Sequence, residues 1–157
     1  LIVIADTSPV LHLARIGRLE LIPAVVGNVI APRTVWDELV HPGTRADVLH
    51  AVQSASWLEL AADPEIHDLK LAPGETAAIL LAEAMSADAL LIDERRGRAV
   101  ASSRGIAVIG TLGIVAGARR RGLIESAGPV IAELRVDGFW LADAVVTALL
   151  RELGEAP

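Results

Sequence analysis

The sequence contains no cysteine, which excludes a disulfide framework and any thiolate metal site. Tyrosine is also absent, and one phenylalanine and three tryptophans are the only aromatics in 157 residues. No apolar run approaches the ~18–20 residues that a membrane span requires. The opening LIVIAD is too short for a signal-peptide core and has no basic flank, so it reads as a strand. These absences make a soluble, cytoplasmic protein with no membrane partner the expectation. The four histidines, His12, His41, His50 and His67, are scattered without metal-ligand spacing and read as structural or exposed. No glycine-rich turn follows the first apolar run, which argues against a dinucleotide-binding domain.

What remains is aliphatic. Hydrophobic residues make up 53% of the chain, enough to build one core at the length of a single domain. A core of Ala, Val, Leu and Ile suits helices packed on a parallel sheet whose strands are buried on both faces. Strands are expected at 1–6, 28–31, 57–60, 89–92 and 106–109, the third at a sheet edge because its exposure alternates. Helices are expected between them, the longest starting at Pro73, with two further helical stretches near 127–136 and 140–153 closing the chain. The alternation predicts an α/β fold: three layers, α/β/α, around a mostly parallel central sheet of four to five strands, all in one domain over 1–157.

Net charge is −6, yet Arg95, Arg96, Arg98, Arg104, Arg119, Arg120 and Arg121 fall in a stretch without a single Asp or Glu. That stretch is either a pair of solvated helix faces or a local phosphate-binding surface on an acidic protein.

Acidic residues stand where an open α/β sheet binds ligands, beyond the carboxyl ends of its strands. Asp6 follows LIVIA and Asp93 follows ALLI. Each also precedes a helix, so N-capping is the competing role. Glu75 lies in the first turn of the long helix, where contact with the helix dipole is the alternative, worth only ~0.3–1 kcal/mol. Glu38 lies between Trp36 and Leu39, and adjacent Asp37 competes with it for the inward position. Converging carboxylates repel one another, and a hard divalent cation such as Mg²⁺ or Mn²⁺ relieves the repulsion through oxygen ligands.

Four segments together resemble the PIN-domain superfamily of metal-dependent nucleases, in its prokaryotic VapC-like branch long catalogued as a domain of unknown function. They are VIADTSPVLHLARIGRLELIP, VIAPRTVWDEL, LAPGETAAILLAEAMSADALLIDERRGRAVA and GIAVIGTLGIVAGARRRGLI, in that order across residues 2–124. The resemblance implies that Asp6, Glu38, Glu75 and Asp93 are the catalytic, metal-binding acids. Glu94 stands where the branch often has another acid, Ser8 or Thr7 where a hydroxyl holds a metal-bound water or orients Asp6, and Thr111 at the final polar position after the last strand. It further implies hydrolysis of RNA phosphodiester bonds with one or two divalent ions, and a toxin paired with a small antitoxin protein. Arg95, Arg98 and Arg119 are then candidates to bind RNA phosphates. The Ala-rich helices and FWLADAVVTALL at 139–150 suggest a homodimer. Two other readings stay open: a catalytically dormant PIN-like RNA-binding or dimerisation module, and an aspartate-based phosphatase, although Ser8 stands where that chemistry usually has a second acid.

Overall fold

Val3, Ile4 and Ala5 are almost wholly buried, as a strand must be when helices cover both faces of its sheet. The computed structural model describes all residues, 1–157. In chain order the elements are β1 (Val3–Ala5), α1 (Thr7–Arg15), α2 (Leu21–Val26), β2 (Val29–Pro32), α3 (Arg33–Leu39), α4 (Ala46–Gln53) and β3 (Leu58–Ala61). They continue with α5 (Pro73–Ala84), β4 (Ala89–Leu91), α6 (Arg95–Ser103), β5 (Val108–Ile109), α7 (Thr111–Arg120), α8 (Gly128–Val136) and α9 (Asp143–Glu152).

The five strands form one sheet in the order β3-β2-β1-β4-β5. Every pairing is parallel, with Ile4 opposite both Ile30 and Leu90 and Leu91 opposite Ile109. The expectation of a mostly parallel sheet is met by one that is wholly so. β3 is an edge strand, and exposed Glu59 and Leu60 lie along it. β5 is shorter than the IAVI run suggests, two residues at the opposite edge. α5 is the longest helix, at twelve residues. It is apolar on most sides, from Ala77 to Ala82, because it lies on the sheet and beneath α3 and α6.

The topology decides where a ligand fits. The chain winds from β1 outward through β2 to β3, then returns to β4 on the other side of β1. Connections therefore depart in opposite directions from β1 and β4, leaving a crevice beyond their carboxyl ends. The Asp6 amide still donates to the Leu91 carbonyl at 2.8 Å, which pins Asp6 beside the end of β4.

Candidate functional site

Asp6 and Asp93 flank that crevice, one residue beyond β1 and two beyond β4. Asp6 is 4% exposed and, although it begins α1, its carboxylate makes no helix-capping hydrogen bond. Its carboxyl is pushed up from the ordinary 3.8 to about 7, chiefly by burial, partly offset by the Thr7 amide. The carboxylates of Glu75, Glu38 and Asp93 push it further the same way. A buried acid surrounded by three others and paired with no cation is costly to ionise.

Asp93 behaves differently. One of its oxygens accepts the Thr111 amide and the other the Thr111 hydroxyl, each at 2.7 Å. It thus caps α7, which starts at Thr111, and not α6, which follows it in sequence. The capping role weighed against metal binding is real for Asp93 and missing for Asp6.

Glu75 extends from the first turn of α5, and one carboxylate oxygen is buried with no partner. Burial raises its pKa, with Glu94 and Glu38 adding to the rise and the Ala72 amide and Arg96 opposing it. Glu75 reaches this place because Gly97 of α6 has no side chain: a Cβ there would lie 2.6 Å from Glu75 Oε2 and 2.7 Å from Ile92 Cδ1. Gly74 does the same for Glu38, whose oxygens would lie 2.5 and 2.8 Å from an added Cβ.

The choice between neighbours on α3 is settled by their partners. Glu38 accepts a hydrogen bond from the Thr7 hydroxyl at the start of α1. Asp37 points to solvent and meets only Arg33, at 3.8 Å. The Thr7 hydroxyl therefore orients Glu38, while the Thr7 amide acts on Asp6.

Asp6 lies within electrostatic reach of Glu75, Glu38 and Asp93. One part of the expectation needs correction: no three of them stand close enough to ligate one ion as the side chains lie. The reason is visible in their partners, since Thr7 holds Glu38, Thr111 holds Asp93, and like charges repel what remains. The donor set nonetheless fits a hard cation. It consists of carboxylate oxygens, one orphaned and buried on Glu75, in a place where Asp6 lacks a counter-charge.

A cleft of about 1150 Å³ opens from Asp93 and Glu94. Ser8 lines it, as do Arg95 and Arg98, which share one face of α6. Arg98 is anchored by donating to the Ile92 carbonyl at 3.0 Å, while Glu94 and Arg95 are exposed at the mouth. Arg119 does not belong here. It pairs with Glu155 at 3.2 Å, and the member of the arginine triplet that lines the cleft is Arg121. His12, read from the sequence as structural or exposed, is structural. It lines the cleft, packs edge-on against Phe139 with ring centroids 4.3 Å apart, and has a buried Nδ1 without a partner. Burial lowers its pKa, so the imidazole is neutral at neutral pH.

The family model that matches residues 2–155 is described as DUF3368, PIN domain. A solved structure of a PilT N-terminus domain protein from the hyperthermophilic archaeon Sulfolobus solfataricus is similar in fold. The match covers 73% of this chain and 90% of that one at 13% identity, with a TM-score of 0.53. No curated protein matches the sequence.

Proposed function

The chain belongs to the PIN-domain family, and on that premise we propose that it is a divalent-metal-dependent nuclease that hydrolyses phosphodiester bonds in RNA. The observation that carries the proposal is Asp6: buried, uncapped, and raised to about 7 by burial and by three other carboxylates at the topological switch point. An acid perturbed by burial and by neighbouring charges is a candidate functional group.

Asp6, Glu38, Glu75 and Asp93 are the residues that would hold the ion. When bound, Mg²⁺ or Mn²⁺ supplies Lewis-acid charge at the scissile phosphate and acidifies a water for attack. The chain's own groups do the rest. Asp6 and Asp93 are short side chains fixed by strand ends, so they set the position of the centre. Glu38 and Glu75 carry an additional methylene and adjust to it. Thr111 keeps Asp93 oriented, and Thr7 holds Glu38 at the rim. Arg95 and Arg98, on the cleft side of α6, meet the phosphates that flank the cut. The apolar layer beneath Asp6 excludes water and strengthens every charge interaction above it.

Metal-dependent cleavage of RNA by purified protein tests the reading. Cleavage should require Mg²⁺ or Mn²⁺, stop with EDTA, and disappear in both Asp6→Asn and Asp93→Asn. Cleavage that persists in the double variant would assign the activity elsewhere. A toxin role, with a small antitoxin protein covering the cleft, and a homodimer are further parts of this proposal. Growth arrest on expression and the mass of the free protein in solution test them.

A further inference from the structure

The first turn of α6 lies against the acids. Gly97 stands there without a side chain, and a Cβ at that position would lie 2.6 Å from Glu75 Oε2. Arg96 is its neighbour in the same turn. Successive residues of a helix point about 100° apart. Arg96 therefore faces another way than Arg95 and Arg98, and it does not line the cleft that they share with Asp93 and Glu94. Its charge acts on Glu75 instead, lowering a pKa that burial and the nearby acids raise.

Most other cations of the chain are engaged. Nine of the 14 basic residues form ion pairs within the protein. Arg98 and Arg121 donate to the backbone carbonyls of Ile92 and Gly117. Arg95 opens onto the cleft, and Arg151 stands on α9. Arg96 is the one cation that acts on Glu75, and it is exposed with no ion-pair partner. The two groups feel each other and yet do not pair. Glu75 Oε2 is buried without a partner, and the Arg96 guanidinium stays in solvent.

An ion pair would be the resting arrangement if charge balance were the purpose of Arg96. A permanently charged fork with all its donors free, beside carboxylates, is suited to a third group. Carboxylates repel an approaching phosphodiester, and a guanidinium at their rim offsets that repulsion. We propose that Arg96 is a catalytic residue, whose guanidinium binds the non-bridging oxygens of the phosphate that is cut, on the Glu75 side of the crevice. In the hydrolysis, the water oxygen bonds to phosphorus, one ester P–O bond breaks, and the departing oxygen ends with a proton from that water. Arg96 transfers no proton and holds the two oxygens that are not exchanged. The inference rests on the nuclease reading and adds the group that meets the charge developing on the phosphate.

Removing Arg96 should act on the chemical step. With Mg²⁺, Arg96→Ala should lower kcat on an RNA oligonucleotide about 100-fold or more and change KM little. Free guanidinium ion, kept below denaturing concentration, should restore part of that rate. Arg96→Lys keeps the charge without the fork and should recover only part of kcat. Arg151→Ala, which removes the unpaired arginine of α9, should cleave as the native protein does.

A second readout needs no cleavage. Inorganic phosphate should raise the Tm of the native protein more in Mg²⁺ than in EDTA, and Arg96→Ala should lose that added rise. The rise given by Mn²⁺ alone should be kept or larger in Arg96→Ala, because a like charge near the ion is gone. Native kcat and a native response to phosphate in Arg96→Ala overturn the assignment. So does full activity in Arg96→Lys, which would make charge alone sufficient. A smaller Mn²⁺-induced rise in Arg96→Ala also overturns it, since Arg96 would then support the acids and not the phosphate. A phosphate response that depends on Arg96 in a native protein that cleaves no RNA would instead sink the nuclease reading and leave the phosphate site standing. Because Arg96 is exposed, its replacement does not put folding at risk.

Discussion

Two carboxylates, Asp6 and Glu155, show opposite uses of the same chemical group. Glu155, just past α9, accepts the Ala127 amide at 2.8 and 3.1 Å and the Gly128 amide at 3.1 Å, and pairs with Arg119 at 3.2 Å. It joins three helices by capping the start of α8 and holding the end of α7. The Ala127 amide, then Gly128 and Arg119, keep its pKa below the ordinary value. Asp6 has no such set of partners, lies among other acids, and is raised to about 7. One end of the molecule spends its charges on holding itself together. The other keeps a charge that the fold alone leaves uncompensated, which is the pattern expected where a ligand completes the site.

The strongest way to break this contrast is to neutralise Asp6. Asp6→Asn should reduce metal-dependent cleavage by more than ~100-fold, since changes even behind a metal ligand cost about 10–100-fold. It should also stabilise the metal-free protein. A carboxyl whose folded pKa is about 7 against an ordinary 3.8 favours the folded state while both forms are protonated, below about 4. That advantage is lost as pH rises to about 7 and stays lost above it. The shift corresponds to at most about 4 kcal/mol. Thermal melting in EDTA at pH 4 and pH 8 should therefore show a wild-type loss that Asp6→Asn lacks. Adding Mn²⁺ at pH 8 should raise the wild-type Tm and leave the variant's little changed. A variant that melts lower than wild type at pH 8 would remove the claim that Asp6 is strained.

Gly97→Ala sharpens the comparison from the backbone side. The new Cβ would meet Glu75 Oε2 and Ile92 Cδ1, both nearer than 3 Å, so either Glu75 leaves the site or α6 moves off β4. Overpacking of this kind costs about 1–3 kcal/mol. Denaturant unfolding should show that loss, and cleavage should fall with it. An active, fully stable Gly97→Ala protein would mean that Glu75 need not occupy its present position.

Glu155→Ala is the mirror experiment. Removing the acceptor of two amides leaves those donors without it, at a cost of about 1–3 kcal/mol, while the acids at β1 and β4 are untouched. Stability should fall and kcat should hold. A loss of cleavage with no loss of stability would place Glu155 in the site and void the contrast.

The difference between these regions also explains what the sequence could tell. Asp6 and Asp93 were legible because strand-end position in an open sheet is a property of local pattern and topology together. Glu75 was legible from its place in a first helical turn. Arg119 was not, because its partner Glu155 lies 36 residues away and no local spacing announces such a pair. His12 and Arg121 meet in one cleft only after the chain between them has folded. Gly97 did leave a trace, as a glycine inside a helix costs about 0.5–1 kcal/mol relative to Ala, but its purpose lay in Glu75 on another helix. β5 proved shorter than its apolar run, since only Val108 and Ile109 pair with β4.

The smallest effects come from the pair on α3, where sequence could not choose. Asp37 and Glu38 are adjacent acids on a seven-residue helix, and the structure separates them by partner: Thr7 for Glu38, distant Arg33 for Asp37. Asp37→Asn removes one exposed ion pair, and surface pairs contribute about 0–1 kcal/mol. Its stability should change by less than about 0.5 kcal/mol, and its cleavage should match wild type. Glu38→Gln should be almost as mild for stability, because the amide oxygen still accepts from Thr7. Its effect belongs to function: one charged oxygen donor fewer should weaken the Mn²⁺-induced rise in Tm and raise the metal concentration at half-maximal cleavage. Titrating Mn²⁺ against both variants side by side measures the separation directly. Equal metal dependence in the two would return the choice between Asp37 and Glu38 to where the sequence left it.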